Sequence, residues 1–147
     1  MRLFKEKSKM NFRKIAMNIA MKAHVGQTDK AGKPYIEHPV NVASAFEDDQ
    51  RYITALLHDV VEDSDITFDD LRNEGFDENI LEAIIALTRT NIGYQEYIER
   101  IKKNPIARDV KIQDLKHNMD LNRLDNVNVK DIKRLEKYKK ALKYLDY

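Results

Sequence analysis

The sequence predicts an all-α, single-domain helical bundle. Three observations carry that prediction. Apolar residues recur at helical spacing along almost the whole chain, and no segment alternates with the period of a strand. The breaks between periodic stretches are short and hold Gly, Pro or a capping residue. The chain of 147 residues is 42% hydrophobic and 35% charged, the balance of a globule able to bury one core.

Phe12, Ile15, Ala16, Ile19, Ala20 and Ala23 define the first helix, which Gly26 ends; residues 1–10 read as a flexible basic N-terminus to a domain spanning 1–147. Gln27 to Pro34 is a loop. Pro39 falls in the first turn of a second helix that runs through Val42, Ala43 and Phe46. Ile53, Leu56, Leu57 and Val60 form a third stripe, started near Asp48 or Asp49. Thr67 and Asp70 form a capping box for a short helix stopped at Gly75, and Asp77 caps a helix containing Ile80, Leu81, Ile84, Ile85 and Leu87. Tyr94, Tyr97, Ile98 and Ile101 make the next helix. Asn104-Pro105 interrupts it, and Pro105 starts another that reaches about Leu121. Residues 130–145 close the chain with a stripe of Ile132, Leu135, Tyr138, Leu142 and Leu145.

Composition removes several classes of function. A net charge of +1 gives no overall drive toward nucleic acid. The absence of Cys excludes disulfides, Cys-ligated zinc and thiol catalysis, and suits a reducing cytoplasm. No apolar run approaches the roughly 20 residues of a membrane span, and the basic start has no apolar stretch of a signal peptide behind it. Charge is uneven: residues 47–78 carry many acids against Arg51 and Arg72 alone, while both termini are rich in Lys. Solvated helix faces explain this pattern; a cationic rim that guides an anionic substrate is the sharper alternative.

The most informative segment is Ala55-Leu56-Leu57-His58-Asp59-Val60-Val61-Glu62-Asp63. Four ionisable side chains follow an apolar run with no base among them, and unpaired buried charge costs several kcal/mol. A divalent metal resolves that cost, since imidazole and carboxylate suit Mn²⁺, Fe²⁺, Zn²⁺ or Ni²⁺ and the remaining acids can orient water. A second clue lies after Pro105, where Ala107, Val110, Leu115 and Leu121 define an inward arc that also contains Asp114 and Asn118. An inward Asp requires either a Lys or Arg partner or a metal, and both readings stay open. His38, between Glu37 and Pro39, adds a second imidazole to give a set of two His and two Asp. That set leaves positions for water and a phosphate oxygen.

The order His38, His58-Asp59, Asp114 resembles the H…HD…D signature of HD-domain metal phosphohydrolases. More narrowly, Gly26-Gln27, Gly32-Lys33-Pro34-Tyr35-Ile36-Glu37-His38-Pro39, Leu57 to Asp63 and Val110 to Met119 resemble the hydrolase domain of RelA/SpoT enzymes and the stand-alone small alarmone hydrolases. The ordered set spans about residues 12–145. The resemblance implies one Mn²⁺ held by His38, His58, Asp59 and Asp114, with Fe²⁺, Zn²⁺, Ni²⁺ or Co²⁺ as alternatives. It implies water activation and leaving-group protonation by Glu62 and Asp63, a ribose or phosphate contact from Asn118, and release of the 3′-pyrophosphate of ppGpp.

Two positions depart from the family pattern. Asp29-Lys30 stands where long alarmone hydrolases carry a basic pair whose Arg stacks on guanine, and Asp120 stands where relatives often have Arg. These changes predict weaker guanine recognition and put a nicotinamide dinucleotide phosphate beside ppGpp as substrate. Lys30 and Lys33 remain candidates for phosphate contact, Tyr35 for a ring against a base, and His24 for the pocket wall. His117 reads as supporting the site or lying at the surface. The leading expectation is therefore an enzyme acting on a small anionic nucleotide-like substrate, without a membrane partner. The runners-up are a non-catalytic nucleotide-binding or interaction module with a structural metal and, more remotely, a nucleic-acid binder using the basic terminal helices. Oligomeric state is not encoded in any of these features.

Overall fold

A computed structural model of the chain describes residues 2–120, 124 and 126–146, the first ten by backbone alone. Among them the elements are α1 (Arg2–Ala23), α2 (Glu37–Ala43), α3 (Asp49–Leu57), α4 (Val60–Asp63), α5 (Phe68–Asn73), α6 (Glu78–Leu87), α7 (Tyr94–Lys102), α8 (Pro105–Asn118) and α9 (Val129–Leu145). The fold is all-α, and among the described residues no helix is long and apolar enough to cross a membrane.

Local chemistry sets most of the boundaries. Asp48, Asp77 and Asn104 accept backbone N–H groups at the starts of α3, α6 and α8. Thr67 with Asp70, and Asn128 with Asp131, close reciprocal capping boxes on α5 and α9. Pro105 occupies the first turn of α8, where its missing N–H costs nothing. The Gln27–Pro34 loop is pinched by an isolated antiparallel bridge between Thr28 and Pro34, and Gly32 turns it with φ 82°.

Helix α3 lies at the centre, packed against α1, α2, α6 and α8, and α9 closes over α7 and α8. Leu56, Leu57, Val60, Ile84, Ile101, Val110 and Leu115 are fully buried in the resulting core. Burying side chains of this kind contributes about 1.5–3 kcal/mol each before entropy is charged against it.

Four boundaries or faces differ from the sequence reading. The third stripe is not one helix, because α3 stops at Leu57 and α4 starts at Val60. His58 Nδ1 donates to the carbonyl of Ala55 at 2.5 Å, satisfying a C-terminal orphan with a side chain, and Asp59 takes φ −107°, ψ 0°. Helix α2 ends before Phe46, which packs on the core from a turn bonded back to Ala43. Helix α8 ends at Asn118, and Leu121 lies outside the described residues. On α9, Tyr138, Leu142 and Leu145 of the apolar stripe pack inward, but Ile132 is 49% exposed whereas its neighbour Asp131 is buried. The capping role of Asp131 and its cationic neighbours account for that burial at the first turn.

Candidate metal centre and substrate cavity

The break between α3 and α4 aims His58 into the core, α8 brings Asp114 to meet it, and α2 supplies His38. One potential ligand atom from each of His38, His58 and Asp114 lies within 4.8 Å of the other two, and all three residues are buried. Asp114 Oδ1 is 2.7 Å from His38 Nε2 and 3.5 Å from His58 Nε2. Asp59 joins from the other side, with Oδ2 3.0 Å from His58 Nε2, while the same oxygen accepts the Tyr35 hydroxyl at 2.6 Å. The four residues singled out as ligands are thus neighbours, with Asp59 outside the tight group of three.

The tautomers suit a cation. A carbonyl only accepts, so the His58 Nδ1 facing Ala55 carries a proton and Nε2 is directed inward. That Nε2 is buried, with Asp59 Oδ2 at 3.0 Å and Asp114 Oδ1 at 3.5 Å around it and no well-aligned hydrogen bond to either. His38 presents Nε2 to the centre, and its Nδ1 lies 2.6 Å from His117 Nδ1, the rings stacked with centroids 4.8 Å apart. Two imidazole nitrogens, one of them the His58 Nε2, and a carboxylate oxygen grouped in this way fit a divalent transition-metal ion.

The electrostatics agree. Burial alone raises the Asp59 and Asp114 carboxyls, but for Asp59 the adjacent His58 overrides it and brings the group down to about 2. For Asp114 the Lys111 ammonium, followed by His38 and His58, holds the group well below the usual carboxylate range. Burial pulls His58 down, yet Asp59 and Asp114 raise its proton affinity well above the ordinary value. The field that retains this proton is the field that would retain a metal.

The two oxygens of Asp114 have different partners. Oδ2 accepts from Lys111 Nζ at 2.9 Å, and Oδ1 faces the imidazoles and accepts from Asn118 Nδ2 at 3.1 Å. Asn118 itself is exposed at the end of α8 rather than inside the arc.

A cavity of about 390 Å³ adjoins His38, lined also by Asp29, Lys30, Tyr35, Asn118, Asp120, Arg134 and Tyr138. Its size is that of a small-ligand site. Lys33 faces a neighbouring groove with Glu37, Asn41 and His117 instead. His24 is buried outside both linings, its ring centroid 4.9 Å from that of Tyr35 and its Nδ1 2.9 Å from Gln27 Oε1. Asp29 folds the loop, its Oδ1 accepting the N–H groups of Ala31 and Lys33 at 2.9 and 3.0 Å.

Glu62 and Asp63 follow on α4, outside the cavity lining. Partial burial, with Asp59 nearby, raises both carboxyls; for Glu62 the backbone N–H of Arg89, bonded to Oε1, opposes the rise. Carboxyls displaced upward hold a proton more readily than free ones, as a proton donor must.

Sequence reasoning did not single out Lys111, Arg134 or Tyr138 for the site. Lys111 carries a signal in its i, i+3 spacing from Asp114. Arg134 and Tyr138 carry none, because only the packing of α9 against α8 brings them to the loop around Lys30.

Residues 16–144 match the family model described as HD domain. The guanosine-3′,5′-bis(diphosphate) 3′-pyrophosphohydrolase of Aquifex aeolicus is 36% identical over 136 residues, covering 87% of this chain and 19% of that protein. The protein of the same description from Haemophilus influenzae is 34% identical over 117 residues, covering 69% and 17%. The chain therefore spans about a fifth of the length of these curated relatives. Among solved structures, one described as a metazoan orthologue of SpoT that hydrolyses ppGpp superposes with a TM-score of 0.75 at 23% identity, covering 91% of this chain and 84% of that one. With a family match across nearly its whole length and the H…HD…D residues gathered at one centre, this chain belongs to the HD domain family.

Proposed function

We propose that the chain is a metal-dependent phosphohydrolase that cleaves a phosphate or pyrophosphate ester of a nucleotide-like substrate, with ppGpp and release of its 3′-pyrophosphate as the leading assignment. The observation that carries this reading is the buried His38, His58, Asp114 cluster beside a cavity of small-ligand size. The names of the curated relatives support the substrate class.

His38, His58, Asp59 and Asp114 would hold one divalent ion, with Mn²⁺ first and Fe²⁺, Zn²⁺, Ni²⁺ or Co²⁺ as alternatives. When bound, such an ion neutralises phosphate charge and makes water a stronger nucleophile. The protein groups do the rest. Glu62 and Asp63, beyond the ligands on α4, accept a proton from the attacking water and return one to the departing 3′-oxygen. Tyr35 keeps Asp59 oriented through its hydroxyl. Asn118, Lys30 and Arg134 meet the sugar and the phosphates from the cavity wall. In the balanced reaction, water adds to the phosphorus, the phosphorus–3′-oxygen bond breaks, and pyrophosphate and the 3′-hydroxyl are the products.

A less anionic nucleotide, such as a nicotinamide dinucleotide phosphate, is the second reading. Asp29 and Asp120, which share the cavity wall with Lys30 and Arg134, favour it. A cytoplasmic setting belongs to the same proposal and rests on the cysteine-free sequence.

The deciding experiment is a turnover screen of Mn²⁺-loaded protein against ppGpp, pppGpp, NADPH and ordinary nucleotides, with phosphate and pyrophosphate quantified separately. Pyrophosphate released from ppGpp supports the leading assignment, and phosphate released from NADPH supports the second. No release from any of them, at full metal occupancy, overturns the reading in favour of a non-catalytic binding module.

A further inference from the structure

Lys111 is the one lysine of α8 turned into the protein interior at the metal centre, its side chain 14% exposed against 6% for Asp114. Its Nζ lies 2.9 Å from Asp114 Oδ2 and 5.3 Å from the centre of the Tyr97 ring. Tyr97 is buried and fixed in turn, its hydroxyl donating to the Leu87 carbonyl at 2.6 Å. The ammonium therefore rests on an anchored aromatic face, with the Asp114 oxygen as its hydrogen-bond acceptor. The other oxygen of the same carboxylate, Oδ1, is the one that faces His38, His58 and Asn118.

We propose that Lys111 is a positioning residue that restricts Asp114 to coordination through Oδ1 alone, and so keeps a place beside the cation open for water and the reacting phosphate. This inference rests on the metal centre of the proposed function. A carboxylate with both oxygens free chelates a cation and takes two positions; one whose second oxygen is held by a buried ammonium takes one. Lys111 also removes one negative charge from a centre built on Asp59 and Asp114, and an anionic substrate approaches such a centre more readily. Arginine at this position can preserve both the charge and the donor, whereas glutamine preserves only a donor and methionine neither.

The test uses the full chain loaded with Co²⁺, whose visible absorption reports coordination number and symmetry. Lys111→Met, Lys111→Gln and Lys111→Arg are compared with wild type for cobalt content, absorption spectrum, thermal midpoint and kinetics. The Met variant should retain one Co²⁺ per chain with an altered spectrum and a kcat per bound metal lower by about 10²-fold, while KM changes by less than about threefold. The Gln variant should share the altered spectrum, and the Arg variant should restore the wild-type one. A wild-type spectrum in both Met and Gln variants at full occupancy would overturn the proposal. So would loss of cobalt from Met and Gln variants with the Arg variant normal, since Lys111 would then be needed only to retain the ligand. The spectra need no substrate, so a wild-type chain that binds cobalt but hydrolyses nothing defeats the functional reading and leaves this inference standing.

Discussion

His38 and His117 meet ring to ring, with their Nδ1 atoms 2.6 Å apart. A cation at His38 Nε2 requires the single ring proton to sit on Nδ1, and His117 Nδ1 is placed to accept it. His117→Phe preserves a stacking ring and removes that acceptor. The expected result is metal affinity weaker by about 10- to 100-fold, with the helical content unchanged, read by competition against a chromophoric chelator. An affinity within about twofold of wild type would show that His38 needs no such partner.

Tyr35 gives Asp59 a hydrogen bond of 2.6 Å, and burial, followed by the Asp59 charge, pushes the phenol pKa upward. The hydroxyl thus remains a donor throughout the working pH range. Tyr35→Phe should cost about 1.5–3 kcal/mol of stability in metal-free protein, the range for a hydrogen bond to a charged group. Urea midpoints measured in chelator check this, and a loss below about 0.5 kcal/mol would mean that water replaces the phenol without cost.

Asp63 works against stability. Its folded-state pKa is raised, by burial first and Asp59 second, so the fold favours the protonated carboxyl. The penalty on the ionised form is present above the folded pKa and vanishes below the unfolded one. Asp63→Asn in chelator should therefore raise the thermal midpoint at pH 8 by about 1–4 °C, a modest shift because the group is solvent-screened. That gain should shrink as pH falls through the carboxylate range. A midpoint lowered at pH 8, or a gain independent of pH, would contradict the assignment.

From sequence alone, an arginine at position 29 is expected to strengthen nucleotide recognition. The structure changes that expectation, because the Asp29 carboxylate turns the loop by accepting from Ala31 and Lys33. Asp29→Arg should open the turn and give no lower KM for ppGpp. Asp29→Asn keeps an acceptor and removes the charge, and should lower KM by about two- to fivefold at low salt. Steady-state kinetics of the pair decide the matter; a lower KM for Arg than for Asn would show that the side chain reaches the base.

Much of this architecture was legible in residue order. The caps at Asp48, Thr67, Asp77 and Asn104 and the apolar period of α1, α6 and α7 follow from local rules, and the structure forms each of them. The break at His58-Asp59 was not legible, since it depends on a ring nitrogen competing for the Ala55 carbonyl inside an otherwise continuous stripe. Asp131 was hidden for a related reason. An Asp reads as a surface residue until Lys30, 101 positions earlier, and Arg134 are seen beside it. At Asp114 the lysine pair does not use up the carboxylate, because one oxygen meets Lys111 and the other faces His38.

On the proposed function, one cation held by His38, His58, Asp59 and Asp114 would make this chain a phosphohydrolase. The most direct measurement is a titration of chelated protein with Mn²⁺, following bound metal and pyrophosphate release from ppGpp in the same samples, for wild type and Asp114→Asn. Wild-type activity should rise from zero in proportion to bound metal and saturate at one ion per chain. Asp114→Asn should lose affinity by about 10²-fold or more and lose activity with it. Turnover in the fully chelated protein, or undiminished metal binding by Asp114→Asn, would show that the cation at this centre does not drive hydrolysis.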